Sequence, residues 1–300
     1  GHFNRGISLI EEAQEKDRVC RLNFTAGKKA KAAIAFASAR EFLAQAMTLA
    51  PPDSWVARYP FMFQLALELS ECEYLTGHFE RAGELFALIL SQAASNPDRA
   101  QVYRLHSRLL QVAGRYQDAV AVGLEGLARF GVTWPDSDEE LVAALALEIR
   151  EYTVNLRGRR VAELADAPVA TDPDARSVIG LIAELAAPLY ATKSRFYSLL
   201  ILKGTNASLL FGNTEESYLV YAHHARLQVS LFGDTGTAFE FSEMFFQLNK
   251  KFNDPKLKGK LGFLHGATIY FWRKHFAGGP PILERALLDL LNVGDFNYAG

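Results

Sequence analysis

Apolar positions along this chain recur at helical intervals. Val102, Leu105, Leu109 and Val112 step by three and four; so do Ala238, Phe241, Phe245 and Leu248, and so do Leu257, Leu261, Leu264, Thr268 and Phe271. Each set predicts one apolar stripe on one face of an α-helix. No stretch alternates apolar and polar residues long enough to predict a strand. Glycine and proline fall between the stripes, where helices stop: Pro51-Pro52, Gly77, Gly114, Trp134-Pro135, Gly158, Pro173, Gly212, Gly233, Pro255, Gly278 to Pro281 and Gly294.

The stops carry a repeated pattern, G-x-[FY]-x-x-A. It occurs at Gly77-His78-Phe79 with Ala82, at Gly114-Arg115-Tyr116 with Ala119, and at Gly294-Asp295-Phe296 with Ala299. Weaker copies stand at Gly212 with Ser217 and at Gly233 with Ala238. The pattern predicts a tight helix-to-helix turn. Glycine takes the left-handed position that ends the first helix. The aromatic two residues on opens the second helix and packs back on the first. The small residue at the fifth position lets the two helices approach closely. Near the N-terminus only the second half of such a unit is readable, as Ala39, Leu43, Ala46 and Pro51. Successive small residues are 43 (Ala39 to Ala82) and 37 (Ala82 to Ala119) positions apart, against about 34 in a strict tetratricopeptide unit.

The expected fold is therefore all-α: an α-solenoid of antiparallel helix hairpins, divergent and tetratricopeptide-like. Residues 134–172 break the pattern with an acidic loop (Asp136, Asp138, Glu139, Glu140), a helix to about Leu156, the Arg157-Gly158-Arg159-Arg160 turn and a short helix to Leu164. This divides the chain into an N-terminal helical array (1–133), an irregular joint (134–172) and a C-terminal array (173–300). The last repeat stops soon after its turn, so the natural protein is expected to continue.

Composition narrows the function classes. The 300 residues are 49% apolar and 22% charged with a formal net charge of -2, neither a disordered nor a nucleic-acid-binding balance. No N-terminal signal sequence and no membrane-spanning apolar run is present, and a cytoplasmic location is expected. Cys20 and Cys72 fit no metal or redox spacing and read as buried thiols. Asn23-Phe24-Thr25 and Asn206-Ala207-Ser208 match the glycosylation sequon, a pattern frequent by chance.

Motifs for chemistry are missing. There is no GxxxxGK[ST], GxGxxG or HExxH, and Gly259-Lys260-Leu261-Gly262 lies on a helical apolar period with no strand before it. His223 and His224 are adjacent, so on a helix they point about 100° apart and do not share one ion. They read as solvent-facing or core histidines. Glu71/Glu73 and Glu139/Glu140 lack the spacing that would set both carboxylates on one helix face. Arg157, Arg159 and Arg160 form the densest basic spot, read as a solvated turn ahead of a phosphate or partner contact. No catalytic residue, metal or cofactor is expected. If the first helix of each hairpin lines a concave face, Lys28, Lys31, Gln64, Glu71, Arg104, Arg108 and Gln111 fall on it. Several are basic, which suits an acidic peptide.

A family resemblance enters at further residues. Leu22-Asn23-Phe24-Thr25-Ala26-Gly27-Lys28-Lys29-Ala30-Lys31-Ala32, then Ala39 to Leu49, then Pro51-Pro52-Asp53-Ser54-Trp55, resemble the helical region behind the AAA-type, STAND-like ATPase module of very large bacterial signalling proteins. The resemblance continues through Glu73 to Glu80, Gly114 to Ala119, Thr171-Asp172-Pro173, Ala187-Pro188-Leu189-Tyr190, Tyr221 and Trp272-Arg273. His2-Phe3-Asn4-Arg5-Gly6 is similar to the point where that family leaves its ATPase module. Such proteins order a serine/threonine kinase, the ATPase, this helical region, a GAF domain and a histidine kinase. The resemblance implies a non-catalytic regulatory arm that holds a protein or peptide partner, neighbouring domains of its own chain included. The catalytic residues of that family lie outside this segment. A free-standing adaptor or peptide receptor is the alternative.

Overall fold

The computed structural model describes residues 12–295 and 298. They are helical throughout, with no strand among the described residues; one isolated parallel bridge joins Val169 to Asn213. The chain forms two compact units, Gly1–Leu109 and Leu110–Gly300. The division falls inside a helix, whereas the sequence pattern breaks at the loop near Trp134.

The first unit holds α1 (Ala13–Ala32), α2 (Phe36–Leu49), α3 (Tyr59–Leu75), α4 (Phe79–Gln92) and the start of α5 (Asn96–Val112). Consecutive helices pack on one another, α1 on α2, α2 on α3 and α3 on α4. Their shared core is Val19, Cys20, Ala39, Leu43, Ala46, Met62, Leu65, Leu69, Cys72 and Leu85. Both cysteines are free thiols in this core. Burial raises the pKa of both, that of Cys72 to about 11, which keeps them protonated.

The turn between α3 and α4 shows why the glycine–aromatic–small pattern recurs. Gly77 has φ +85°. His78 N–H donates to the Glu73 carbonyl at 2.9 Å and Gly77 N–H to the Tyr74 carbonyl at 3.0 Å, closing the end of α3. Phe79 then packs edge-on against Tyr74, ring centroids 4.9 Å apart, and Ala82 is fully buried. Arg115 N–H donates to the Leu110 carbonyl in the same way after α5, with Ala119 buried. The turn between α1 and α2 has this geometry without a glycine. Ile34 occupies the left-handed position at φ +61°, and Ala35 N–H donates to the Ala30 carbonyl at 2.9 Å. Asp295 N–H bonds the Leu290 carbonyl at 3.0 Å after the last helix, while Phe296 and Ala299 lie outside the described residues.

The second unit continues with α6 (Tyr116–Ala128), α7 (Asp138–Leu156), a 3-10 turn (Val161–Asp166), α8 (Pro173–Ala191), α9 (Tyr197–Phe211), α10 (Ser217–Ser230), α11 (Thr235–Phe252), α12 (Pro255–Leu264) and α13 (Gly279–Asn292). Ser137 and Glu140 form a capping box that starts α7. Central to this unit is α10, buried continuously from Ser217 to Ala225 and packed by α8, α9, α11 and α12. A helix buried on every side has no amphipathic stripe, which is why its sequence carries no clear period.

The stripe Ala238, Phe241, Phe245, Leu248 is fully buried as predicted. The stripe ending in Thr268 and Phe271 is not. α12 passes at His265–Ile269 into a π-helical turn, which takes one extra residue per hydrogen-bonded ring. Ile269 is thereby buried in place of Thr268, and Phe271 turns outward. The glycines before it serve helix approach. A Cβ on Gly259 would lie 2.9 Å from the Leu290 backbone nitrogen and 3.0 Å from the Ala286 carbonyl oxygen, both on α13.

Candidate functional site

The residues expected to line a groove separate into three environments. Lys28, exposed on α1, holds its ammonium 5.5 Å from the centroid of the Phe24 ring. Gln64 on α3 and Arg108 on α5 are exposed, and Arg104 is half-buried. Lys31 and Glu71 come together. The Lys31 ammonium lies 2.5 Å from a Glu71 oxygen and 2.5 Å from a Glu68 oxygen. Burial opposes its charge, but the two carboxylates outweigh burial and raise its pKa. Glu68, one turn before Glu71, is the member of this cluster that the sequence reading missed. Glu73 lies instead 3.8 Å from Arg40. In the second unit Gln111 is buried, its amide nitrogen 3.2 Å from the Glu184 carbonyl oxygen.

The second unit contains a half-open cavity of about 590 Å³. Tyr152 and Leu156, at the end of α7, form one wall with Val161 and Ala162 of the 3-10 turn. Gln228 of α10 also lines it. Asp234, Thr237, Glu240, Glu243, Met244 and Gln247, from the start and one face of α11, form the opposite wall. Arg159 and Arg160 are among its lining residues.

These charged groups are unequally matched. Arg159 is no solvated turn residue: its Nε donates to the Leu156 carbonyl at 3.0 Å, and its Nη2 to the carbonyls of Asn155 and Leu209 at 2.7 and 3.2 Å. Arg160 pairs with Glu163 at 2.7 Å. Asp234 caps α11 by accepting from Thr237 N–H and Oγ1, bonds that hold its carboxyl below the usual range, and Arg273 lies beside it. Glu240 and Glu243, one turn apart and exposed, accept no hydrogen bond and form no ion pair among the described residues.

Behind the cavity lie the adjacent histidines. Both are core residues, 3% and 0% exposed. His223 Nδ1 meets the Tyr197 hydroxyl at 2.9 Å, and His224 Nε2 meets the Gln228 amide nitrogen at 2.8 Å. The second nitrogen of each ring, His223 Nε2 and His224 Nδ1, is buried without a partner. Burial pushes both pKa values down to about 3, so both rings are neutral. Among the described residues no three His, Cys, Asp or Glu side chains are grouped to hold a metal, and no helix is long and apolar enough to cross a membrane. Both sequon asparagines lie within helices and are buried: Asn23 donates to the Val19 carbonyl, and Asn206 binds Glu148 in a network with Lys203.

No protein-family model matches the chain. It is similar to the hybrid signal transduction histidine kinase G of Dictyostelium discoideum, 22% identical over 325 aligned positions that cover 99% of this chain and 9% of that protein. The chain thus spans about a tenth of the length of this relative.

Proposed function

We propose that this chain is a non-catalytic regulatory and protein-interaction segment of a multidomain signal-transduction kinase, built of divergent tetratricopeptide-like helix pairs. The observation that carries this reading is the relation to the signalling histidine kinase. Similarity runs the length of this chain but fills 9% of the relative, the proportion of one module within a larger protein. The distant likeness suggests a signalling role.

Repeat character is supported by the common turn after α1, α3 and α5, each closed by the same hydrogen bond five residues back. Its partner is a protein or peptide, neighbouring domains of its own chain included, and the segment controls an adjacent ATPase or kinase module in the cytoplasm. In the first unit Lys28 and Gln64 are exposed, while Lys31 and Glu71 are engaged with each other.

The test uses the full-length protein. Autophosphorylation and ATP hydrolysis are measured with this segment intact and with it replaced by a Gly/Ser linker. The proposal expects ATP binding to persist and output to lose its regulation. Unchanged, still-regulated output would remove the regulatory role, and ATP turnover by the segment alone would remove the non-catalytic one.

A further inference from the structure

We propose that the outward face of α7 pairs with the same face of a second copy of this chain, antiparallel, about a two-fold axis level with Glu148. α7 packs on α9 along one side, and its buried residues include the polar Glu148 and Asn155, each 8% exposed. The side turned to solvent carries Val142, Leu147 and Val154, exposed by 66%, 55% and 64%, with Ala143 and Ala146 exposed among them. A helix on a protein surface ordinarily has the reverse pattern, aliphatic residues inward and polar ones outward. An aliphatic stripe left on the outer face, with charged residues around it, marks an interaction site.

A second observation is independent of that stripe and identifies what covers it. Glu139, in the acidic stretch that opens α7, and Arg150 and Arg157, towards its end, are exposed, and none of the three side chains has an ion pair or hydrogen bond among the described residues. An acid at the start of a helix and a base at its end suit the helix dipole, but that leaves the exposed valines unexplained. The positions are symmetric about one level. Glu139 and Arg157 lie nine residues before and after Glu148, Val142 and Val154 six, and Ala146 and Arg150 two. Turning a second α7 end for end about that level sets Glu139 of each copy opposite Arg157 of the other, about 13 Å either side of the axis. Leu147, one residue from the axis, meets its own counterpart, and the small Ala146 leaves room for the Arg150 stem of the second copy. A parallel pairing would set Glu139 on Glu139 and Arg157 on Arg157. An acidic or a basic foreign segment would match one end of the stripe and repel the other. The face complements itself in the antiparallel sense, the condition for an isologous two-fold contact.

The test is sedimentation equilibrium of the 300-residue chain over about 5–500 μM, a range set for a weak dimer because one helix face buries less than the roughly 800 Å² per partner of a standard interface. A monomer–dimer equilibrium is expected, and it should weaken as salt rises. Leu147→Asp puts two like charges at the axis and should weaken the dimer about a hundredfold or more. Arg157→Glu and Glu139→Arg should each weaken it about tenfold. The double variant E139R/R157E restores both unlike pairs and should recover most of that loss, a recovery that a merely structural role of either residue would not give. The proposal is overturned by a chain that stays monomeric throughout the range, by a dimer that Leu147→Asp leaves unchanged, or by a double variant that dimerises no better than its single parents. All three side chains are exposed, so the variants fold, which far-UV circular dichroism checks. The result is independent of whether the chain regulates a neighbouring module.

Discussion

Ile34 and Gly77 hold the same backbone position in two helix-to-helix turns, with φ +61° and +85° and the same hydrogen bond from the following residue to the carbonyl five before it. A β-branched residue in the left-handed region is strained, and its side chain is 76% exposed, so packing returns little. Ile34→Gly should stabilise the chain by about 1 kcal/mol, and Gly77→Ala should destabilise it by about 1–2 kcal/mol. Urea denaturation of the two variants checks both signs. A destabilised Ile34→Gly would show that the strain is not there.

Lys31 stands between Glu68 and Glu71. Lys31→Ala leaves two neighbouring, mostly buried carboxylates without their cation, and should cost about 2–4 kcal/mol. Glu68→Gln, which leaves one ion pair intact, should cost less. A double-mutant cycle with Glu71→Gln measures the coupling; a value near zero would mean the cluster contributes nothing to the first unit.

His223 and His224 set a pH dependence. Their folded pKa values near 3 lie below the ordinary 6.5, so between pH 6.5 and 3 the unfolded chain binds protons that the folded chain does not. Their stabilising contribution is complete above pH 6.5 and is lost as pH falls, by at most about 1.4 kcal/mol per pH unit for each ring. His224→Asn should flatten the fall in stability measured from pH 7 to 5. An unchanged slope would place the acid sensitivity elsewhere.

Gly259 meets the backbone of α13 directly. Gly259→Ala should force α12 and α13 apart and cost about 1–3 kcal/mol. Gly83, inside α4, has nothing within 4 Å of an added Cβ. Gly83→Ala should therefore stabilise by about 0.5–1 kcal/mol through helix propensity alone. Thermal melts of the pair separate the contact from the propensity.

Local signals in the sequence were the legible ones. The glycine turns, the buried small residues Ala82 and Ala119, the end of α7 at Leu156 and the helical nature of Gly259 to Gly262 all follow from chemistry within a few residues. Ile34 was hidden because isoleucine is not a turn residue, and the geometry of its neighbours imposes the conformation. The π-helical turn at His265 was hidden because a one-residue slip leaves the apolar count unchanged. Glu68 beside Lys31, and Glu148 beside Lys203 and Asn206, were out of reach because each pairing joins residues more than 35 positions apart. The cavity draws on four elements between Tyr152 and Gln247, and no local pattern brings those together.

Each of the common turns closes on a carbonyl of the helix just ended. Such a joint carries its own specification and asks nothing of the distance to the next one. A helix can gain or lose a turn between joints while both ends still close, provided the buried small residue keeps its place five positions on. Spacings as unequal as 43 and 37 residues are then compatible with the same kind of turn, in which length drifts and punctuation is kept.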